Sequence, residues 1–202
     1  MRRLLVGLVA VAVAIAVSLV ATAGAAERFK RHTIRGEGMS LAVPASWVAV
    51  DAALPAAAIE RLRRENPRLA PYLVQRKGGS RAKFLALDPA LEGGFATNVN
   101  VVISDIPSVT FDVYRAAILS EIGSLVGSAK VNHRTVKIGG VRGVRLSYRL
   151  RVTLGRTYTV SALQYGLLRP GKNVVVTYTT LPRLASSSAP TFARSAASIR
   201  FG

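Results

Sequence analysis

From position 144 to position 154 the chain alternates without a break. Val144, Leu146, Tyr148, Leu150, Val152 and Leu154 take the even places; Arg145, Ser147, Arg149, Arg151 and Thr153 take the odd ones. A period of two sends the first set to one face of a strand and the second set to the other. That is the pattern of an antiparallel strand buried on one side only. Two more strands are expected at 157–167 and 172–181, set off by the turn pairs Gly155-Arg156 and Pro170-Gly171. Three strands with connections this short form a meander, whose apolar face the rest of the chain has to cover.

The best cover is a helix over 110–126. Phe111, Tyr114, Ile118, Ile122 and Leu125 recur at spacings of three and four, and Gly127 stops the run, so this helix should lie across the sheet. A helix over 55–65 is expected with Ala58, Ile59 and Leu62 inward. Asn66-Pro67 caps and opens a second, short one that Pro71 cuts back. Ser188 as cap and Pro190 in the first turn predict a closing helix with Phe192, Ala196 and Ile199 on one side. Further strands are expected at 29–34, 39–43, 83–87, 96–103 and 131–138. Trp47, the only tryptophan, follows Pro44 by three residues. It has two readings: a plug at one end of the core, or a platform on which a ligand stacks. These elements make an α+β chain built on an antiparallel β-sheet.

Residues 1–26 read as a targeting segment. Arg2 and Arg3 precede a stretch, 4–20, that is apolar apart from Gly7 and Ser18. Ala21-Thr22-Ala23 and Ala23-Gly24-Ala25 then fit the small-x-small site of signal peptidase. Cleavage is expected after Ala25 or Ala26, although the apolar stretch is also long enough for an uncleaved anchor. The chain has no cysteine, hence neither a lipid attachment site nor a disulfide. Residues 27–202 are expected to form one domain, large enough to bury about 70% of its unfolded surface.

Charge is distributed unevenly. Of the net +18, residues 27–121 hold 13 Lys/Arg against all 10 Asp/Glu, whereas residues 122–202 hold 13 Lys/Arg and no carboxylate side chain. Arginines outnumber lysines 22 to 6, and arginine is the better bidentate partner for phosphate and carboxylate. Behind an export signal this balance points to anionic lipid, a wall polymer or an acidic protein rather than to nucleic acid. The opposing reading is a solvated, arginine-rich surface with no partner.

No catalytic constellation is legible. There is no cysteine nucleophile, no Gly-x-Ser-x-Gly elbow and no His-Glu-x-x-His helix; His32 and His133 read as surface residues. No cofactor or metal is expected. The loop Arg76-Lys77-Gly78-Gly79-Ser80-Arg81 is cationic but lacks phosphate-loop spacing, which leaves it a solvated turn. Arg145, Arg149 and Arg151 lie on one side of their strand, about 7 Å apart per step of two. They either track an anionic partner or pack their stems beneath a helix. With Arg76, Lys77 and Arg81 they are the candidate contact residues.

Several stretches together resemble the PsbP-like/LpqN-type exported proteins of bacteria. They are Leu41-Ala42-Val43-Pro44-Ala45-Ser46-Trp47, the Gly-Gly turn and Arg-Leu-Ser-Tyr strand (139–148), Leu163-Gln164-Tyr165, Val174 to Thr179, and the closing helix (192–201) ending Ser-Ile-Arg-Phe. The resemblance implies helices on both faces of the sheet, an α/β/α sandwich, and an accessory or binding role without catalytic residues. It departs from the LpqN type in lacking the lipid-bearing cysteine. The expectation is an exported, monomeric, non-enzymatic protein at the cell envelope that contacts a protein partner. Electrostatic attachment to an anionic polymer or membrane surface is the second reading, and a hydrolase with a site assembled by the fold is the third.

Overall fold

The computed structural model of the chain describes residues 27–51, 54–74 and 82–202. The expected targeting segment and the loop carrying Arg76, Lys77 and Arg81 lie outside them. In chain order the elements are β1 (Phe29–Ile34), β2 (Met39–Pro44), β3 (Val48–Asp51), α1 (Ala56–Glu65), α2 (Ala70–Val74), β4 (Ala82–Leu87) and β5 (Asn98–Asp105). They continue with α3 (Phe111–Val126), β6 (Asn132–Ile138), β7 (Val141–Leu154), β8 (Arg156–Arg169), β9 (Lys172–Thr180), α4 (Ala185–Ala197) and β10 (Arg200–Phe201). Seven strands form an antiparallel sheet in the order β3-β4-β5-β9-β8-β7-β6, and β1-β2-β10 form a small second sheet. The expected meander is the run β7-β8-β9, and Gly139 and Gly140, both at positive φ, turn β6 into it.

The alternation in β7 works as read. Val144, Leu146 and Tyr148 are buried, whereas Arg149, Arg151 and Thr153 are exposed. The buried set meets α3, where Tyr114, Ile118 and Ile122 pack on Val144, Leu146, Tyr148 and Ala162. Thr110 caps that helix by accepting the Val113 N–H, and Gly127 follows its end. α1, a 3-10 turn at Pro67–Leu69 and α2 cover the other end of the same face, with Leu69, Tyr72 and Leu73 against Val50, Leu87 and Ala96. On the opposite face the small sheet, α4 and the link after it supply Leu41, Val43, Phe192, Ala196 and Ile199, which pack on Val99, Val101, Tyr165, Leu167, Val176 and Tyr178. The result is an α+β fold with helices on both faces of the antiparallel sheet. Trp47 belongs to this second core and is 9% exposed.

One close approach seats α3 on the sheet, and a second sets how tightly β7 and β8 pair. A Cβ on Gly166 of β8 would collide with Ile118 Cδ1 and lie 2.7 Å from the Tyr114 hydroxyl oxygen. A Cβ on Gly143 of β7 would strike the Gly166 carbonyl oxygen. Both positions need the absence of a side chain, because backbone or packed core already fills the space.

Four sequence-based expectations change. Leu125 is 59% exposed; Val126 packs inward in its place, since Ile118, Ile122 and Val126 keep a strict spacing of four along the helix. The closing helix starts earlier than Ser188. A 3-10 turn at Pro182–Leu184 runs straight into α4, so Pro182 opens the helical run and Pro190 falls inside it. Pro190 removes only the hydrogen bond to the Ser186 carbonyl, on an exposed residue where water substitutes. The helix also ends at Ala197, and Arg200–Phe201 leaves it to pair with Ser40 and Met39 of β2. Finally, β3 follows Trp47 as a strand of four residues, too short to announce itself by periodicity.

Candidate functional site

The arginine row faces away from α3. Register places Arg145 beside Tyr165, Ser147 beside Leu163 and Arg149 beside Ser161, all on the face that carries α4. α4 reaches only part of that face: Phe192 packs on Tyr178 of β9, with ring centroids 5.0 Å apart. Along the same helix edge stand Ala185 and Ala189, one turn apart, which put little bulk toward β7 and β8. The gap left between this edge and the strands is a groove of about 520 Å³. Its floor is Ser147, Ser161 and Leu163, its far wall is α4, and Arg145, Arg149 and Lys130 stand at its margin. No carboxylate lines it. This follows from the sequence, because every residue after Glu121 is free of acid side chains.

The cations at the groove differ from many arginines elsewhere. Arg142 lies over the Phe111 ring at 4.0 Å, Arg156 over Tyr158 at 4.7 Å and Arg194 over Phe29 at 4.3 Å. Arg183 pairs with Glu92 at 2.8 Å, and Arg169 donates to the Glu37 carbonyl at 3.2 Å. Arg145, Arg149 and Arg151 make no such bond among the described residues. No described helix lies directly over them. Of the other candidate contacts, Arg76, Lys77 and Arg81 lie outside the described residues. Arg134, directly opposite Arg145 on β6, adds another exposed cation to the edge of the same face.

Beneath the groove the sheet is held by buried polar pairs. Tyr148 donates to Gln164 Oε1 at 2.6 Å, and Thr180 shares a 2.8 Å hydrogen bond with Thr97. Burial, with the Glu121 charge as the lesser cause, pushes the Tyr148 phenol up to about 12, so it stays neutral across the physiological range. These groups bond to one another and brace the floor.

Neither histidine joins the groove. His133 stands exposed on β6. His32 lines a separate cleft of about 460 Å³ with Asp51 and Thr33, and its ring lies 5.3 Å from that of Phe84. Burial, and then the Lys30 charge, lowers its pKa below the usual histidine value. Trp47 borders a smaller cleft of about 290 Å³ on the other side of α4, together with Asp88, Glu92 and Thr191. Basic and acidic linings thus flank the same helix.

No family model matches the sequence, and none of the curated proteins does. Solved structures do match. The solution structure of cyanobacterial PsbP (CyanoP) from Synechocystis gives a TM-score of 0.50 at 19% identity, over 90% of this chain and 96% of that one. The fold is PsbP-like. A second PsbP-like match is the crystal structure of LpqN, a protein involved in cell envelope biogenesis of Mycobacterium tuberculosis. Its TM-score is 0.50 at 13% identity, over 86% of this chain and 91% of that one. At these identities the likeness is one of fold, and it brings no groove residue with it.

Sequence reading finds the arginine row but not the groove. Ala185, Ala189, Ser161 and Lys130 carry no signal of their own. Only the path of α4 over β9, decided by Phe192 and Ala196, turns the two alanines into a wall.

Proposed function

We propose that this protein is an exported, non-enzymatic binding protein of the cell envelope, and that the basic face of the meander receives an acidic protein partner. The observation that carries the reading is the set Arg145, Arg149 and Arg151: cations on the part of one face that α4 leaves open, unpaired among the described residues, in a stretch from 122 onward with no carboxylate side chain. Desolvating a guanidinium is costly unless an anion replaces the water, so a surface of this kind favours acidic partners and repels basic ones. The apolar strip of Leu163 and the α4 alanines gives such a partner something to bury at the centre of the contact. The fold likeness to LpqN agrees with an envelope setting.

The test is co-sedimentation of residues 27–202, which contain every described element of the fold, with envelopes across a salt series. Binding that disappears when the envelopes are treated with protease, and falls only in part as salt screens the arginines, supports the protein partner. Attachment to an anionic polymer or lipid surface instead weakens steeply with salt and is indifferent to protease. No sedimentation at any salt concentration refutes both.

A further inference from the structure

We infer that the groove between α4 and β7–β8 is a small-molecule site for an amphipathic organic anion, a carboxylate or phosphate head on an apolar body. This goes beyond the partner reading and does not depend on it.

Three features of the groove decide the ligand class. The first is size. About 520 Å³ is within the range of pockets that enclose a small organic ligand, and more than a bound inorganic ion needs. The second is the division of its lining. Arg145 and Arg149 lie on one side of β7, four residues and about 13 Å apart along the strand, with Ser147 midway between them on the same face. An anionic head above Ser147 is approached by a guanidinium from each end and by the serine hydroxyl from below. Directly beside Ser147 in the sheet is Leu163, and beyond it are Ala185, Ala189 and Phe192. The body of the ligand therefore runs from the arginines toward α4 over apolar carbon. The third is the missing counter-charge. No carboxylate lines the groove, and neither arginine has a hydrogen bond or ion pair among the described residues, so the anion has no internal competitor.

The chemistry also excludes ligands. A cation meets Arg145, Arg149 and Lys130 with nothing to offset them. A neutral alcohol of the same length buries its chain but leaves the guanidinium groups unmatched. A head group without a body, such as acetate or inorganic phosphate, finds the charges and forgoes the apolar wall.

Octanoate is the probe, with 1-octanol, acetate and inorganic phosphate as controls, followed by amide chemical shifts of residues 27–202. The expected result is saturable octanoate binding, with shifts confined to the groove strands and α4. Octanoate should bind at least about tenfold tighter than any control, the size of one or two charge-assisted hydrogen bonds or of a buried alkyl chain. Replacing Arg145→Gln and Arg149→Gln together should lower octanoate affinity at least about tenfold and leave octanol unchanged. Ala189→Trp, which keeps every charge and fills the wall, should abolish octanoate binding. Arg149 and Ala189 are exposed and Arg145 is half-buried, and an unchanged melting temperature verifies that each variant is folded.

Several results would overturn the proposal: no saturable octanoate binding, octanol binding as tightly, or shifts elsewhere in the fold. Equal binding of acetate and octanoate would assign the arginines to carboxylates in general, such as the acidic side chains of a partner, and overturn it too. Since no envelope is present, failure here leaves the co-sedimentation result standing, and the reverse also holds.

Discussion

Gly166→Ala tests whether α3 is seated on the sheet as described. The new methyl would overlap Ile118 Cδ1 and lie 2.7 Å from the Tyr114 oxygen, against about 3.5–4.0 Å for a relaxed contact. Ile118 and Tyr114 are four apart on one helix face and are 5% and 6% exposed, so neither can swing into solvent. Relief requires α3 to lift from β8. Overpacking of this kind costs about 1–3 kcal/mol. Lifting also strains the 2.7 Å hydrogen bond from the Tyr114 hydroxyl to Asn173 Oδ1, worth about 1 kcal/mol more. The sum is about 2–4 kcal/mol, or roughly 4–16 °C in melting temperature for a domain of this size. Urea unfolding followed by far-ultraviolet circular dichroism measures it, with the m-value serving as a check that the unfolded state is unchanged. Adding Ile118→Ala opens space for the methyl, so the double variant should be more stable than the summed single losses by about 1–2 kcal/mol. A Gly166→Ala protein within about 0.5 kcal/mol of wild type would refute the packing of α3 on β8.

Other outcomes follow from the same packing. Gly123, inside α3 with open space where a Cβ would sit, should tolerate Ala and gain about 0.5–1 kcal/mol from helix propensity, read in the same urea assay. Tyr148→Phe leaves the buried Gln164 Oε1 without its donor and should cost about 1–3 kcal/mol. Glu37, whose carboxylate is 9% exposed and reaches Lys83 at 2.8 Å and Lys172 at 3.4 Å, is held below the usual carboxylate pKa, chiefly by the Lys83 hydrogen bond. A depressed folded pKa stabilises the fold above the unfolded value, about 4.3, and that contribution fades as pH falls through the folded value. Glu37→Gln should therefore be less stable than wild type at neutral pH and converge with it in strong acid, as measured by melting temperature against pH.

How much was legible in the sequence depends on the scale of the pattern. The 14-residue β7 alternates long enough for period two to be unmistakable, and α3 carries four turns of apolar spacing. The arginine row came with β7, because alternate residues of a strand share a face whatever covers it. Short elements did not show: β3 and β10 have four and two residues, and their pairing with β4 and β2 depends on partners distant in sequence. The start of α4 was misplaced because Ser188 and Pro190 imitate a cap, while Pro182 has no polar residue before it to mark the true beginning. The groove was invisible for a further reason. It is a space between α4 and strands β7–β8, set by where Phe192 docks, and a space has no residue to carry its signal.

On the proposed reading, the arginines on β7 serve binding rather than folding. The direct measurement compares wild type with Arg145→Gln, Arg149→Gln and Arg151→Gln combined, for envelope binding and melting temperature side by side. Binding should be lost while the melting temperature stays within about 2 °C, because Arg149 and Arg151 are exposed and half-buried Arg145 lies outside the core. Full binding by the triple variant, or a fall in melting temperature large enough to mean that the arginines hold the sheet together, would contradict it.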